Sequence, residues 1–583
     1  MAIGADEPLP TIAIEVPTPG RRPEDCPVWV AVAVLALLSA ACCTPLLDAG
    51  WFVSHEELRP IARALAAYHE IAGGDLYPRW LSTGYLGKGV PLFNFYPPAF
   101  SLLVAYGHAL GVPLLLAGKL TIFLLFFAGG LGATLWARPH LGSFPALVAG
   151  ILYLFAPYHF VDIYVRGATA EFTSLAALPY LFLAIDRSVD RLSARALASL
   201  ALASAAIVVS HFLSALMIAP FAAVYALARA LPSGGRWMAL GRIVAGVALG
   251  AALSAFFWLP ALVERNALSS ERGEQVIGGY YTYFLHFVHP KQWLDRSWQF
   301  GNSVAGYADG MSFQVGLPIL ISAAASALLV WRLPKPARGF VLLTALLGIA
   351  ALWLTSPSAR VWYAWLPPFQ LIQFPWRYLG PVTLFLAAAG GGVVRVLAEW
   401  NSWLGPGSTI VLAALALGLS SEQRTVRGRI PVADDRAAIE RVVADAPWST
   451  KFGNEDEFLP KHADVEAASR VPGGPYPGGV DVEISNLRGT LKDLTFEVAS
   501  PADRGIAVIP WYAFPGWEVS LDGREWQFVP RPDGLLAFRV PQGRHLARVH
   551  FATTPPRVAG WLLASAALLT LGALVFRERR AEP

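Results

Sequence analysis

Cysteine is nearly absent from this 583-residue chain: Cys42 and Cys43 adjoin inside an apolar run, and Cys26 precedes it. No disulfide framework or zinc-ligand spacing fits that pattern, so a packing role is expected for all three. Charge is scarce as well. Asp, Glu, Lys and Arg make up 15% of the residues, the formal net charge is +4, and the basic residues are scattered near the ends of apolar segments, which excludes a nucleic-acid-binding surface. No small-residue cleavage site follows the first apolar run, and LSAACC lacks the aliphatic residue three before the Cys that a lipoprotein box needs. Val28 to Leu47 therefore reads as an uncleaved anchor. What abounds is apolar surface: 55% hydrophobic residues, 20 of the residues Trp, and a mean hydropathy of +0.48, too apolar for a soluble globular chain of this length. A mostly α-helical, polytopic membrane protein is expected.

A helix needs about 20 apolar residues to cross a hydrocarbon core of roughly 30 Å. Such windows fall at 28–47, 114–136, 143–160, 169–186, 195–211, 212–230, 243–262, 313–331, 339–355, 376–398, 407–421 and 557–576, about twelve spans. The segment 97–111, PPAFSLLVAYGHALG, reaches only about 22 Å as a helix and reads as interfacial or re-entrant. With that reading the positive-inside rule collects Arg21, Arg22, Arg138, Arg187, Arg191, Arg195, Arg229, Arg236, Arg242, Arg332, Lys335, Arg338, Arg395, Arg577, Arg579 and Arg580 on one face, the cytoplasmic one. The expected organisation is a cytoplasmic tail 1–27, a transmembrane domain 28–421 with a first extracytoplasmic loop 48–113, an extracytoplasmic segment 422–556, a last span 557–576 and a cytoplasmic tail 577–583. Period-two alternation in VDVEISN, LTFEVAS, GLLAFRV and LARVHFA, with turns at Asp522-Gly523, Asp533-Gly534 and Gln542-Gly543, makes 422–556 a small β-sandwich. It carries no nucleophile, phosphate loop or metal spacing, so a binding, lidding or bracing role is expected.

Polar chemistry collects at the outer ends of the spans, where it is costly and therefore suggests a site. Residues 55–72 have the period of an amphipathic surface helix, with His55, Glu56 and Glu57 at its start. The stretch GGDLYPRWLSTGYLGKGVPLFNFYPP, 73–98, follows, stiffened by Pro78, Pro91, Pro97 and Pro98, as expected of a loop that walls a site. Later outer segments add Tyr158, His159, Asp162, Arg166 and Glu171, then His211 and Arg377. Arg79, Lys88, Arg166 and Arg377 suffice to hold a phosphate or diphosphate. Arg166 with Asp162 or Glu171 equally fits a structural ion pair, and Trp51, Trp80, Trp293, Trp298 and Trp376 equally fit interfacial anchoring. His211 and the pair His286/His289 are potential metal ligands, although Pro290 after the pair favours a structural role. Ionisable groups at one face and the lack of an inverted repeat argue against an ion-coupled transporter.

GGDLYPRW, GVPLFNFYPP, APYHFVDIYVRGATAEF, SHFLSAL, FFWLPALVE, IQFPWR and FPGWEVSLDG resemble the bacterial membrane proteins called 6-pyruvoyl-tetrahydropterin synthase-related, from about residue 45 onward, and the last motif is similar to YfhO-like membrane proteins. The pterin label implies nothing here, because the zinc-binding His constellation of that soluble enzyme is missing. More broadly the chain resembles the GT-C superfamily of integral membrane glycosyltransferases, which carry an acidic residue in the first extracytoplasmic loop and take sugar from a polyprenyl-phosphate donor. Relatives read His-Asp, a further His and an Arg in that loop. Here His55-Glu56 stands at the first pair, Pro60 at the second His and Arg63 at the Arg. The resemblance implies a GT-C-like transmembrane bundle in a bacterial inner membrane, both termini cytoplasmic and the β-domain outside. It implies Glu56 as general base, with Glu57 and Asp48 as rivals and His55 orienting it. Arg79, Arg166 and Arg377 would hold the lipid phosphate, with Lys88 and Arg63 beside them, and Asp162 and Glu171 would bind acceptor hydroxyls near Tyr158, His159 and His211. The implied partners are the bilayer, a polyprenyl-phosphate-linked sugar and an acceptor the sequence does not identify; use of a divalent metal stays open. Two readings from other classes remain, a non-catalytic binder or translocator of lipid-linked glycans and an envelope scaffold.

Overall fold

The computed structural model describes residues 26–191, 193–269, 279–445, 458–478 and 482–581. The expected tail 1–27, including Arg21 and Arg22, lies outside them except for its last two residues, as does the end of the tail at 582–583. Helices dominate, and the chain is a multi-pass membrane protein. Among the described residues eight helices are long and apolar enough to cross a membrane: Leu114–Leu141, Ser143–Arg166, Thr169–Asp190, Phe212–Ala230, Arg236–Leu253, Lys335–Thr355, Pro375–Trp400 and Pro555–Ala581. Shorter apolar helices stand at Val28–Cys42, Ala99–Ala109, Ala194–Ser210, Leu317–Leu328 and Leu404–Leu419. The helix inside 97–111 has 11 residues and packs on the amphipathic helix Arg59–Ala72. The window 243–262 is two helices, Arg236–Leu253 and Ala255–Glu264, divided at Ser254, whose hydroxyl donates back to Gly250 O at 2.9 Å. Small residues set the close helix approaches: a Cβ on Gly150 would lie 2.5 Å from Gly130 O, so no larger residue fits that crossing.

Among the described residues ten strands complete the fold. Strand β1 (Trp51–Phe52) pairs antiparallel with β2 (Arg429–Ile430), which ties the first loop to the segment after Leu404–Leu419. Beyond it come β3 (Tyr476–Pro477), β4 (Glu483–Thr490), β5 (Asp493–Ser500), β6 (Gly505–Tyr512), β7 (Trp517–Leu521), β8 (Arg524–Trp526), β9 (Leu535–Val540) and β10 (Gly543–Phe551). They form a five-stranded sheet, β4-β5-β10-β7-β8, and a three-stranded one, β3-β6-β9. The sheets face each other: Phe496 of β5 meets Phe538 of β9 at 6.2 Å between ring centroids, and Trp511 of β6 stacks on Trp517 of β7 at 4.7 Å. The β7–β8 hairpin turns at Asp522 (φ 51°) and Gly523 (φ 77°), the left-handed pair that Asp-Gly favours.

The sandwich is seated on the first loop. Lys492 Nζ reaches Glu70 Oε2 at 2.7 Å and Asp75 Oδ2 at 2.6 Å, Tyr512 N donates to Lys88 O at 3.0 Å, and the buried Trp80 packs against Phe514, Trp517 and Phe551. The segment preceding the sandwich also leans on the membrane part. Asp434 accepts from Leu115 N at 2.7 Å and Leu116 N at 2.9 Å, capping the helix Leu114–Leu141 with a carboxylate where its orphan N–H groups and dipole favour one.

Candidate functional site

The helix Ser143–Arg166 does not end as a regular α-helix. Its last six residues, Val161–Arg166, wind as a π-helix, a local widening that shifts which side chains share a face. Gly167 closes it with φ 70°. The freed carbonyls at that end are taken by the first loop: His55 N donates to Val165 O at 2.9 Å and Glu56 N to Arg166 O at 3.1 Å. Gly167 is needed twice, for its positive φ and because a Cβ there would lie 2.4 Å from Ser54 Oγ. This clasp brings Glu56 beside Arg166, two residues 110 positions apart in sequence.

Arg166 is the hub of a buried cluster. Its Nη1 donates to Asp162 Oδ1, to Glu171 Oε2 at 2.9 Å and to Tyr158 OH at 3.4 Å, and its guanidinium lies over the Trp376 ring, 4.4 Å from the centroid. The Tyr158 hydroxyl donates to the other Glu171 oxygen. Arg377 approaches from the opposite side. Its Nε is 3.3 Å from Glu171 Oε2, within ion-pair range but not aligned for a hydrogen bond, so Nε and Nη1 are both buried without a hydrogen-bond partner. His211 caps the helix Phe212–Ala230, its Nδ1 accepting from Ser214 N at 3.2 Å, which leaves Nε2 to carry the ring proton.

These groups border one cavity of about 880 Å³, within the range of small-molecule sites. Of the residues expected from the sequence, His55, Glu56, Arg166, Glu171, His211 and Arg377 line it. Tyr158 and Asp162 sit behind this wall, bonded to its members. Arg63 is buried behind Glu56: its Nη2 donates to Glu56 Oε2 at 2.7 Å and its Nη1 to Tyr96 OH at 3.0 Å. Burial pulls the His55 imidazole below its ordinary pKa, and its Nε2 lies 3.2 Å from Phe300 O.

Other expected residues go elsewhere. Asp48 pairs with Arg429 at the surface. Glu57 is not among the residues lining the cavity and stands in a left-handed conformation with φ 50°. His159 is packed among Tyr153, Phe126 and Phe172 in the core. Lys88 Nζ donates to Pro472 O at 3.0 Å under the β-sandwich, where burial lowers its pKa. Arg79 belongs to a second buried cluster: its Nη1 donates to Asn94 Oδ1 at 3.3 Å and its Nη2 to Phe256 O, and Asn94 Nδ2 donates to Glu264 Oε2 at 2.8 Å. Glu264 also accepts from Thr554 and from Arg557 Nη2 at 3.0 Å, and Arg557 Nη2 donates to Pro515 O at 2.8 Å. So the 73–98 stretch walls the cavity only through its end, Phe95, Tyr96 and Pro97, while its Arg79 binds it to the helix Ala255–Glu264 and its Lys88 to the segment just before β3. His286 and His289 do not act together: His286 Nδ1 lies 2.9 Å from Ser303 Oγ, whereas His289 caps the turn Pro290–Trp293. Among the described residues no three His, Cys, Asp or Glu side chains converge as a metal site.

The sequence reading passed over Arg59, Tyr96, Tyr280, Asn302, Gln373 and Phe374, which also line the cavity. Tyr96 and Phe374 lie inside motifs already singled out, so their aromatic character was an available signal. Gln373 also lies inside a motif already singled out, IQFPWR, but as a neutral amide it gave no signal of its own, and neither did the loop residue Asn302.

Residues 93–426, more than half of the chain, match the family model of the 6-pyruvoyl-tetrahydropterin synthase related domain of membrane proteins. No curated protein matches the sequence. Among solved structures the chain is similar to the arabinofuranosyltransferase AftD from mycobacteria, at 18% identity over 70% of this chain and 28% of that one, with a TM-score of 0.44. It is similar to ArnT from Cupriavidus metallidurans bound to undecaprenyl phosphate, at 16% identity over 67% of this chain and 63% of that one, with a TM-score of 0.42. It is also similar to the Archaeoglobus fulgidus oligosaccharyltransferase tethered with an acceptor peptide, at 14% identity over 74% and 60% of the two chains, with a TM-score of 0.41. The chain thus spans about 28% of the length of the mycobacterial enzyme.

Proposed function

We propose that this chain, which belongs to the 6-pyruvoyl-tetrahydropterin synthase related family of membrane proteins, is an integral membrane glycosyltransferase of the GT-C kind that its motifs resemble. It takes a sugar from a polyprenyl-phosphate donor and passes it to an envelope lipid, glycan or protein at the outer face of a bacterial inner membrane, with its termini in the cytoplasm and its β-sandwich outside.

The observation that carries this reading is the cavity's two-sided chemistry. One side offers Arg166 and the hydrogen-bond-free nitrogens of Arg377, the groups an anionic phosphate uses. On another side lie Phe212 and Leu371, 51% and 48% exposed, and Phe212 opens a membrane-spanning helix. A ligand satisfying both is an amphiphile with a small anionic head. The carboxylate needed for transfer is also present, since Glu56 Oε2 is held by Arg63 and Oε1 has no hydrogen-bond partner among the described residues. In the proposed step Glu56 Oε1 takes the acceptor hydroxyl proton, and the acceptor oxygen bonds to the anomeric carbon. The bond from that carbon to the phosphate oxygen breaks, and its electron pair leaves on the polyprenyl phosphate, held by Arg377 and Arg166.

The test is transfer of radiolabelled sugar from a panel of polyprenyl-phosphate sugars, comparing wild type with Glu56→Gln. Transfer lost in the variant, with donor binding kept, is the expected result. Binding without transfer in either protein would overturn the enzyme reading and favour a non-catalytic binder, for which the Glu56–Arg63 pair is simply structural.

A further inference from the structure

The cavity has a wall that the transfer step does not use. It is built from Tyr280, Asn302, Gln373, Phe374 and Trp376, contributed by the loop before Leu317–Leu328 and the segment leading into Leu379–Trp400. Phe374 stacks on Trp376 with centroids 4.9 Å apart, and Tyr280 meets Phe374 edge-on at 6.1 Å. The Tyr280 hydroxyl is spent on Ser303 O at 2.8 Å, so this residue presents its ring, which is 43% exposed. Trp376 is only 2% exposed, and its Nε1 is buried with no hydrogen-bond partner. One face of its indole is covered by the Arg166 guanidinium. A buried N–H left unmet costs free energy, and in a cavity wall it marks where a ligand acceptor belongs. The side chains of Asn302 and Gln373 likewise have no hydrogen-bond partner among the described residues.

The geometry points to a sugar subsite for a neutral ring. Aromatic faces pack against the C–H faces of a pyranose or furanose, while two amides and an indole N–H, which donate and accept without charge, read its hydroxyls. None of the wall's own residues is charged; the two arginines packed on it, Arg166 over Trp376 and Arg377 with its guanidinium carbon 5.0 Å from the Phe374 centroid, both face Glu171. The wall's own side chains therefore offer nothing to pair with an amino sugar, and the arginines that could pair with a uronic acid are the two that the transferase reading gives to the phosphate. This inference rests on the transferase reading and extends it from the phosphate to the sugar, assigning Trp376, Asn302 and Gln373 to donor specificity.

Binding to the full-length protein in detergent, measured with undecaprenyl phosphate and with undecaprenyl phosphates carrying a neutral hexose, an amino sugar or a uronic acid, separates the two readings. The neutral sugar is expected to tighten binding about tenfold over undecaprenyl phosphate alone. Asn302→Ala combined with Gln373→Leu is expected to remove most of that gain, and Trp376→Phe, which keeps the ring and loses the N–H, a few-fold part of it. The Asn302→Ala/Gln373→Leu variant is expected to leave affinity for undecaprenyl phosphate unchanged. A gain equal or greater for the charged sugars, or one that survives all three substitutions, overturns the subsite. Binding of undecaprenyl phosphate with no gain from any sugar also overturns it while leaving the phosphate site standing; no binding of undecaprenyl phosphate overturns both.

Discussion

YPRW and FPWR look alike, each an arginine beside proline and tryptophan, yet Arg79 and Arg377 have opposite situations. Arg79 is drawn into a closed joint, where Asn94, Glu264, Thr554 and Arg557 exhaust one another's hydrogen bonds and fasten the first loop, the helix Ala255–Glu264, the sandwich and the last helix together. Arg377 reaches a carboxylate already shared with Arg166 and Tyr158, and its nitrogens remain without hydrogen bonds beside a cavity. What separates a brace from a binding group is whether the fold supplies partners for every polar atom. A buried ionic cluster that is complete holds structure; one left incomplete next to open space is available to a ligand.

The hardest way to break this contrast is to disturb the joint. Glu264→Gln leaves Arg557, 2% exposed, without its counter-charge, and is expected to cost about 3–5 kcal/mol, read as a large fall in melting temperature. Replacing both residues, Glu264→Leu with Arg557→Leu, is expected to recover much of that loss, since an apolar pair avoids the desolvation cost. Arg377→Gln probes the other side. It is expected to weaken undecaprenyl phosphate binding by about 1.5–3 kcal/mol, roughly ten- to a hundredfold, with little change in melting temperature, because Glu171 keeps Arg166 and Tyr158. A stability loss for Arg377→Gln as large as for Glu264→Gln would erase the distinction.

Much of this was legible before the structure. The apolar windows gave a helical membrane bundle, and period-two alternation gave a β-rich segment near the C-terminus. Of the segments singled out for their polar chemistry, His55-Glu56, RGATAE, His211 and QFPWR reach one cavity, and the His286/His289 stretch does not. Three things stayed hidden, each for a physical reason. Glu264 lies 185 residues from Arg79, so nothing near YPRW announces the joint that captures it. The π-helical turn at Val161–Arg166 depends on tertiary packing, and it leaves His159 in the aromatic core while Asp162 and Arg166 turn toward Glu171. The neutral wall residues Asn302 and Gln373 carry neither charge nor periodicity.

A finer test of the contrast acts on the clasp that assembles the cavity. In Gly167→Ala the new methyl meets Ser54 Oγ in a backbone conformation that alanine rarely adopts, at an expected cost of about 1–2 kcal/mol. Because Ser54 and Glu56 share that contact, sugar transfer is expected to fall further than stability does. Equal losses would mean that Glu56 is not positioned through the Gly167 turn.

The smallest expected effect distinguishes the two regions by pH. His55 stands at the cavity rim, with Phe300 O 3.2 Å from its Nε2 and Arg59 Nη1 donating to its backbone carbonyl at 3.2 Å; Arg166 and Glu56 are the charged groups that bear on it. Burial, more than those charges, holds its folded-state pKa below the ordinary value. Between that lowered value and about 6.5 the unfolded chain binds a proton that the folded chain does not, so stability falls as pH drops through this window and is unaffected above it. The joint of Arg79, Asn94, Glu264, Thr554 and Arg557 contains no histidine. Melting temperatures taken from pH 7 to pH 5 are therefore expected to decline less steeply in His55→Asn than in wild type, by about 1–2 °C across the window, whereas the Glu264→Leu/Arg557→Leu variant keeps the wild-type slope. A parallel decline in wild type and His55→Asn would show that the imidazole is not the group that ties the Phe300 loop to the Glu56 segment, and the rim would have to be held by the backbone bonds to Val165 and Arg166 alone.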